Sequence, residues 1–199
     1  MSTPFTFAPL TATTAPSGAA AFITGSQQRF GFVPSPVGRV AHSPIALRQL
    51  LGALGAFDQT SLAPIEREVV AMTVAWENEC HYCMALHTAL MAGAPEHSET
   101  IAGLRAGTPL SDGRLETLRV FVQEVIRERG RPSLETWHAL ARAGFTETQA
   151  LEIVLGVGVY LMSTLFNIVT QAELDPPFVP FAWSRPEKLA AHAGASASW

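Results

Sequence analysis

Between positions 153 and 172 the chain carries no charged side chain, and this run limits the possible folds more than any other stretch. It is as long as a membrane-spanning helix. Gly156, Gly158, Asn167, Thr170 and Gln171 dilute it, however, and no Lys or Arg cluster flanks it, so it reads as a helix buried in a core or at a subunit interface. Thr146-Glu147-Thr148-Gln149 ahead of it has the form of a capping box, and Asp175-Pro176-Pro177 ends it. Upstream, helical spacing or helix punctuation marks 45–57, 65–76, 80–92, 96–105, 115–129 and 133–143. Strand-like alternation, hairpin signals and internal repeats are missing from the sequence. The expectation is an all-α chain, a bundle of about six or seven helices over 30–183, with an irregular N-terminal arm at 1–29 and a C-terminal tail at 184–199.

Hydrophobic residues make up 48% of the chain and charged ones 15%, with a mean hydropathy of +0.20. So apolar a surface predicts a homo-oligomer, a dimer, trimer or hexamer. A net charge of -4 and scattered Lys and Arg argue against a nucleic-acid partner. Residues 1–28 have no charge and no basic stretch before a sustained apolar run, so they do not read as a secretory signal. Gly31, Pro34, Pro36 and Gly38 predict an ordered loop over 29–40.

Both cysteines of the chain lie at Cys80-His81-Tyr82-Cys83, with His87 four residues further on. On a helix Cys80, Cys83 and His87 share one stripe, which sets a base beside a thiol. A helix opening at Cys80, capped by Asn78 or Glu79, would stabilise a thiolate in its first turn. Glu68 lies on the preceding helix, and a straight continuation would hold it about 18 Å from Cys80. The two cooperate only if the chain turns at 76–79. Buried structural cysteines are the ordinary alternative. Zinc is the chemical rival, but Cys80, Cys83 and His87 are three ligands where a closed site takes four.

Glu68, Cys80-x-x-Cys83 and His87, set in Leu62-Ala63-Pro64-Ile65-Glu66-Arg67-Glu68-Val69-Val70-Ala71, resemble the alkyl hydroperoxidase D and carboxymuconolactone decarboxylase family in its Cys-x-x-Cys peroxidase-related branch. Gly31-Phe32-Val33-Pro34, His42-Ser43-Pro44, Gly144-Phe145-Thr146-Glu147 and the stretch from Asn167 to Phe178 extend the likeness over about 30–178. The resemblance implies an AhpD-like helical bundle and a thiol peroxidase that reduces organic hydroperoxides. In it Glu68 would orient His87, and His87 would draw the proton from Cys83. It further implies that Cys83 becomes the sulfenic acid and Cys80 the proton donor and resolving thiol, whereas the helix-terminus argument favours Cys80 as nucleophile. His81 and Tyr82 are secondary candidates. Tyr82 stands where the better-known members carry a histidine.

Such a cycle needs no cofactor or metal. It does need an external dithiol reductant, and a reactive pair of this kind fits a cytoplasmic, reducing compartment. Two alternatives accompany it. One is a cofactor-free decarboxylase of a lactone acid, as in the family's other branch, which the cysteine pair and the lack of an Arg or His cluster count against. The other is a non-catalytic redox-sensing or assembly protein.

Overall fold

Every residue from Val69 to Ala75 is buried, so the helix that carries them has no solvent face and must lie at the centre. The computed structural model describes residues 4–186. Among these are nine α-helices, two 3-10 turns (Pro95–His97 and Pro176–Phe181) and no strand. The central helix is α4 (Pro64–Glu77); α7 (Gly113–Arg127) and α9 (Glu147–Val169) pack along it, and α5 (His81–Met91) folds back on it. α3 (Pro44–Asp58), α6 (Ser98–Ala106) and α8 (Leu134–Arg142) complete the seven helices expected from the sequence.

Four of the helices, α3, α7, α8 and α9, are capped by the side chain just before them. Ser43 Oγ accepts from the Ala46 N–H, Asp112 from Arg114 and Leu115, and Ser133 from Thr136. Thr146 and Gln149 close a reciprocal capping box. α9 reaches further back than its charge-free run and stops at Val169, and α7 stops at Arg127 rather than 129.

The N-terminal third departs from the expectation. The arm at 1–29 is not irregular throughout: α1 (Ser17–Phe30) occupies its second half. The segment read as an ordered loop contains α2 (Ser35–Val40). Ala19, Ile23 and Ser26 of α1 fall at i, i+4 and i+7, and a second apolar cluster joins Ala19 and Ile23 to Val37, Val40, Ala41 and Leu47. Small and hydroxylated residues hide this stripe, so tertiary burial rather than propensity makes the helix. The helical domain thus begins at 17 rather than 30. Gly31, at φ 80°, ends α1 in the left-handed region that glycine tolerates best. Of the expected tail, residues 187–199 lie outside the described range.

α9 has two apolar faces. Ile153, Gly156, Val157 and Tyr160 face the core, while Leu151, Val154, Leu155, Leu165, Ile168 and Val169 are exposed. By length and composition this helix could cross a membrane, but its inward face is part of the main core.

Candidate active site

The chain reverses between α4 and α5 through a Schellman motif. Cys80 N–H donates to the Ala75 carbonyl and Glu79 N–H to that of Trp76, with Glu79 in the left-handed region at φ 53°. The turn required at 76–79 is therefore present, but the capping differs from the expectation. α5 opens at His81, Cys80 itself occupies the N-cap, and Asn78 ends α4 and donates to Thr164 Oγ1 at 2.7 Å.

This corner brings Glu68 and His87 together: His87 Nδ1 lies 2.7 Å from Glu68 Oε2. Burial opposes charge on His87, but the Glu68 carboxylate, by attraction and hydrogen bond, outweighs it and holds the imidazole above its ordinary value of 6.5. Glu68 therefore orients the ring and balances its charge. Among the described residues no hydrogen bond joins His87 to either sulfur, so the base does not sit directly on a thiol.

Cys80 and Cys83 are both free and buried. The Cys83 thiol donates to Cys80 and pulls it down to about 6, against burial and with help from the backbone N–H groups that open α5 and from Asn167. Cys83 is correspondingly pushed well above its ordinary value, first by Cys80 and then by burial. One negative charge is thus shared by two sulfurs, resting on Cys80. Access runs the other way. A cavity of about 460 Å³ is lined by Cys83, His87, Glu68, Tyr82, Tyr160, Ser163 and Asn167 among others, and Cys80 is not in its wall.

The rest of the cavity wall is mostly apolar. α1 gives Phe22 and Phe30, and α3 gives Leu50, Leu51 and Leu54; Arg29 and Asp58 also line it. The N-terminal helix α1 therefore builds part of the cavity wall.

Of the secondary candidates, Tyr82 is in the wall, but its hydroxyl donates to Asp175 Oδ2 at 2.6 Å, and burial together with that carboxylate raises its ionisation far out of range. Asp175 also accepts from the Ser35 N–H, tying the site to α2. His81 lies off the cavity, its Nδ1 bonded to the Trp183 carbonyl at 2.8 Å. Among the described residues no three His, Cys, Asp or Glu side chains are grouped to hold a metal ion.

The sequence assigned α9 to a core or an interface and gave none of its residues a place in the site. Asn167 Nδ2 lies 3.1 Å from Cys83 Sγ and 3.7 Å from Cys80 Sγ, and Ser163 Oγ lies 3.8 Å from Cys83 Sγ. The signal was available: Tyr160, Ser163, Thr164 and Asn167 fall at i, i+3, i+4 and i+7, a polar stripe on an otherwise apolar helix.

Residues 44–113 match the model of the carboxymuconolactone decarboxylase family. No curated protein matches the chain significantly. Among solved structures, one described as an alkylhydroperoxidase AhpD core, an uncharacterized peroxidase-related protein from Ralstonia eutropha JMP134, aligns with a TM-score of 0.76 and 20% identity, covering 89% of this chain and 96% of the other. An uncharacterized peroxidase-related protein from Silicibacter sp. TM1040 gives 0.69 and 21%, covering 82% and 87%. A variant of the debrominase Bmp8, in complex with 2,3,4-tribromopyrrole, gives 0.71 and 16%, covering 91% and 96%. At these identities the structures speak for the fold, an AhpD-like helical one, and over residues 44–113 the chain is similar to the carboxymuconolactone decarboxylase family.

Proposed function

We propose that the protein is a dithiol peroxidase for organic hydroperoxides. The observation that carries this reading is one cavity, largely apolar, whose wall holds both Cys83 and the Glu68–His87 pair. The substrate's hydrocarbon part lies against Phe22, Leu51 and Leu54 and its peroxide group reaches Cys83. Cys83 passes its proton to the Cys80 thiolate and attacks the terminal peroxide oxygen. The S–O bond forms, the O–O bond breaks, and the leaving alkoxide takes a proton from the His87 imidazolium. Cys80 then attacks the Cys83 sulfenic acid; the S–S bond forms, the S–O bond breaks, and the Cys80 proton goes to the departing hydroxide, which leaves as water. A dithiol reductant, in a reducing compartment such as the cytoplasm, returns the pair to thiols.

The test is a thiol count and intact mass on the reduced protein before and after one equivalent of cumene hydroperoxide. Both thiols should disappear in the wild type. Dimedone should trap a sulfenic acid in Cys80→Ser but not in Cys83→Ser, and His87→Ala should be slow. Thiols that survive the peroxide would overturn the reading.

A second reading, reductive dehalogenation of a small aromatic, is favoured by the four aromatic rings of the cavity wall, Phe22, Phe30, Tyr82 and Tyr160. It uses the same two thiols, converting a carbon–bromine bond to carbon–hydrogen with release of bromide and formation of the disulfide. Bromide release from 2,3,4-tribromopyrrole, with cumene hydroperoxide inert, would move the assignment there. For the decarboxylase alternative the cavity offers a single arginine, Arg29, and no cationic cluster for a dicarboxylate.

A further inference from the structure

The group bonded most closely to the Cys83 sulfur, apart from Cys80, is not the histidine but Asn167. Its side chain is 4% exposed. It directs one amide nitrogen at both sulfurs, and two N–H groups match two acceptors. Its other end is orphaned: Asn167 Oδ1 is the one buried side-chain nitrogen or oxygen without a hydrogen-bond partner among the described residues. Buried acceptors are seldom left unpaired, and one that is calls for an explanation. Turning the amide over would let Oδ1 take a thiol hydrogen, but it would also set an oxygen lone pair against a thiolate. The observed orientation is the better one when the sulfur pair is charged.

We propose that Asn167 is a catalytic residue that carries the negative charge of the cysteine pair, donating one N–H to each sulfur and remaining on Cys83 as the charge moves there for attack. Ser163, one turn earlier on the same face, is a second and longer donor to Cys83. The titratable and charged groups around the pair are His87 and Tyr82 on α5, Glu68 on α4, Asp58 on α3, Arg29 on α1, Tyr160 on α9, and Asp175 behind Tyr82. Among the described residues none of them hydrogen-bonds to a sulfur, which leaves the hydrogen bonding of the charge to the amide, the serine and the N-terminus of α5, with His87 attracting it through space.

The catalytic meaning of this assignment rests on the peroxidase reading; the charge-holding itself does not. When the S–O bond forms, the sulfur loses its charge and the N–H donors lose their hold. Asn167 therefore raises the thiolate fraction at a given pH while making each thiolate a slightly weaker nucleophile. A merely structural residue has no such double effect.

The experiment is the rate of thiol loss to iodoacetamide against pH, for wild type, Asn167→Ala and Asn167→Asp, together with rates toward tert-butyl hydroperoxide at neutral and high pH. In Asn167→Ala the half-point should rise by about one pH unit or more, as expected when the hydrogen bonds from both amide N–H groups to a charged pair are lost. In Asn167→Asp it should rise further. The hydroperoxide rate of Asn167→Ala should be roughly 10-fold lower at neutral pH and should equal or exceed the wild type at high pH. Half-points that do not move, or a slowing that is equal at every pH, would overturn the proposal. Should the variants not fold, the assigned side-chain amide resonance of Asn167 in the wild type decides: it should shift with the half-point of the thiols, and a resonance indifferent to their ionisation overturns the assignment. A wild type that is alkylated yet ignores every hydroperoxide sinks the peroxidase reading and the catalytic role with it, while the alkylation profile still decides where the charge is held.

Discussion

Glu68 and His87 show how one contact ties protonation to stability. Because Glu68 lifts His87 above 6.5, the native state binds a proton that the unfolded chain has released. The pair's stabilisation is therefore fully present below the ordinary histidine value and is lost as pH rises through the raised one. Glu68→Gln should accordingly lower the denaturation midpoint at about pH 6 and leave it nearly unchanged at about pH 9, and it should bring the His87 ring titration down. Chemical denaturation at the two pH values and a histidine NMR titration check this; equal losses at both would show the pair to be electrostatically idle. The cysteines give a prediction of opposite sign. Cys80 is held down to about 6, so its contribution is present above the ordinary thiol value of 9.0 and is lost as pH falls through the lowered one. Alkylation of the first thiol should reach half its maximal rate at about pH 6, and a half-point near the ordinary value would remove the shared-charge picture.

At the level of elements, the corner between α4 and α5 holds the site, and its backbone is strained at Glu79. A side chain at φ 53° costs about 1–2 kcal/mol relative to right-handed backbone. Against this stands an exposed ion pair with Arg185 at 2.7 Å, a type worth about 0–1 kcal/mol. Glu79→Gly should therefore raise the melting temperature by roughly 1–3 °C, whereas Glu79→Val should lower it. The turn was legible in the sequence because Glu68 had no other way to reach the cysteines. The exact cap was not, since a left-handed glutamate looks like any other. Gly156 teaches a similar lesson. In the sequence it only dilutes an apolar run; in the fold a Cβ there would lie 2.4 Å from the Phe57 ring, so glycine is what lets α9 approach α3. Gly156→Ala should cost about 1–3 kcal/mol through overpacking, visible as a lower melting temperature with the helix content intact. α1 escaped detection for a different reason: its stripe is built from Ala19, Ile23 and Ser26, and only burial against α2 and α3 gives so weak a pattern meaning.

For the molecule as a whole, α9 joins the cysteine cavity to the surface. Its inner face carries Tyr160, Ser163 and Asn167 to the cavity, and its outer face leaves Leu151 at 74%, Leu165 at 48% and Val169 at 59% exposed. The sequence announced the charge-free helix but not this division, because both faces are written in the same apolar residues and only the packing of α3 and α4 decides which is covered. A row of large apolar side chains spread along a 23-residue helix is more than a lone subunit ordinarily leaves in water. We propose that a second copy of the chain covers it, since a helix face with no charge to match pairs most readily with its own equivalent across a two-fold axis. Sedimentation equilibrium should then give a multiple of 21.3 kDa at micromolar concentration. Leu151→Glu with Leu165→Glu should reduce it to the single-chain mass while circular dichroism stays helical, because both side chains already point away from the core. A wild-type chain that sediments alone would leave the outer face of α9 without the partner assigned to it, and unchanged association in the double variant would move the interface to another surface.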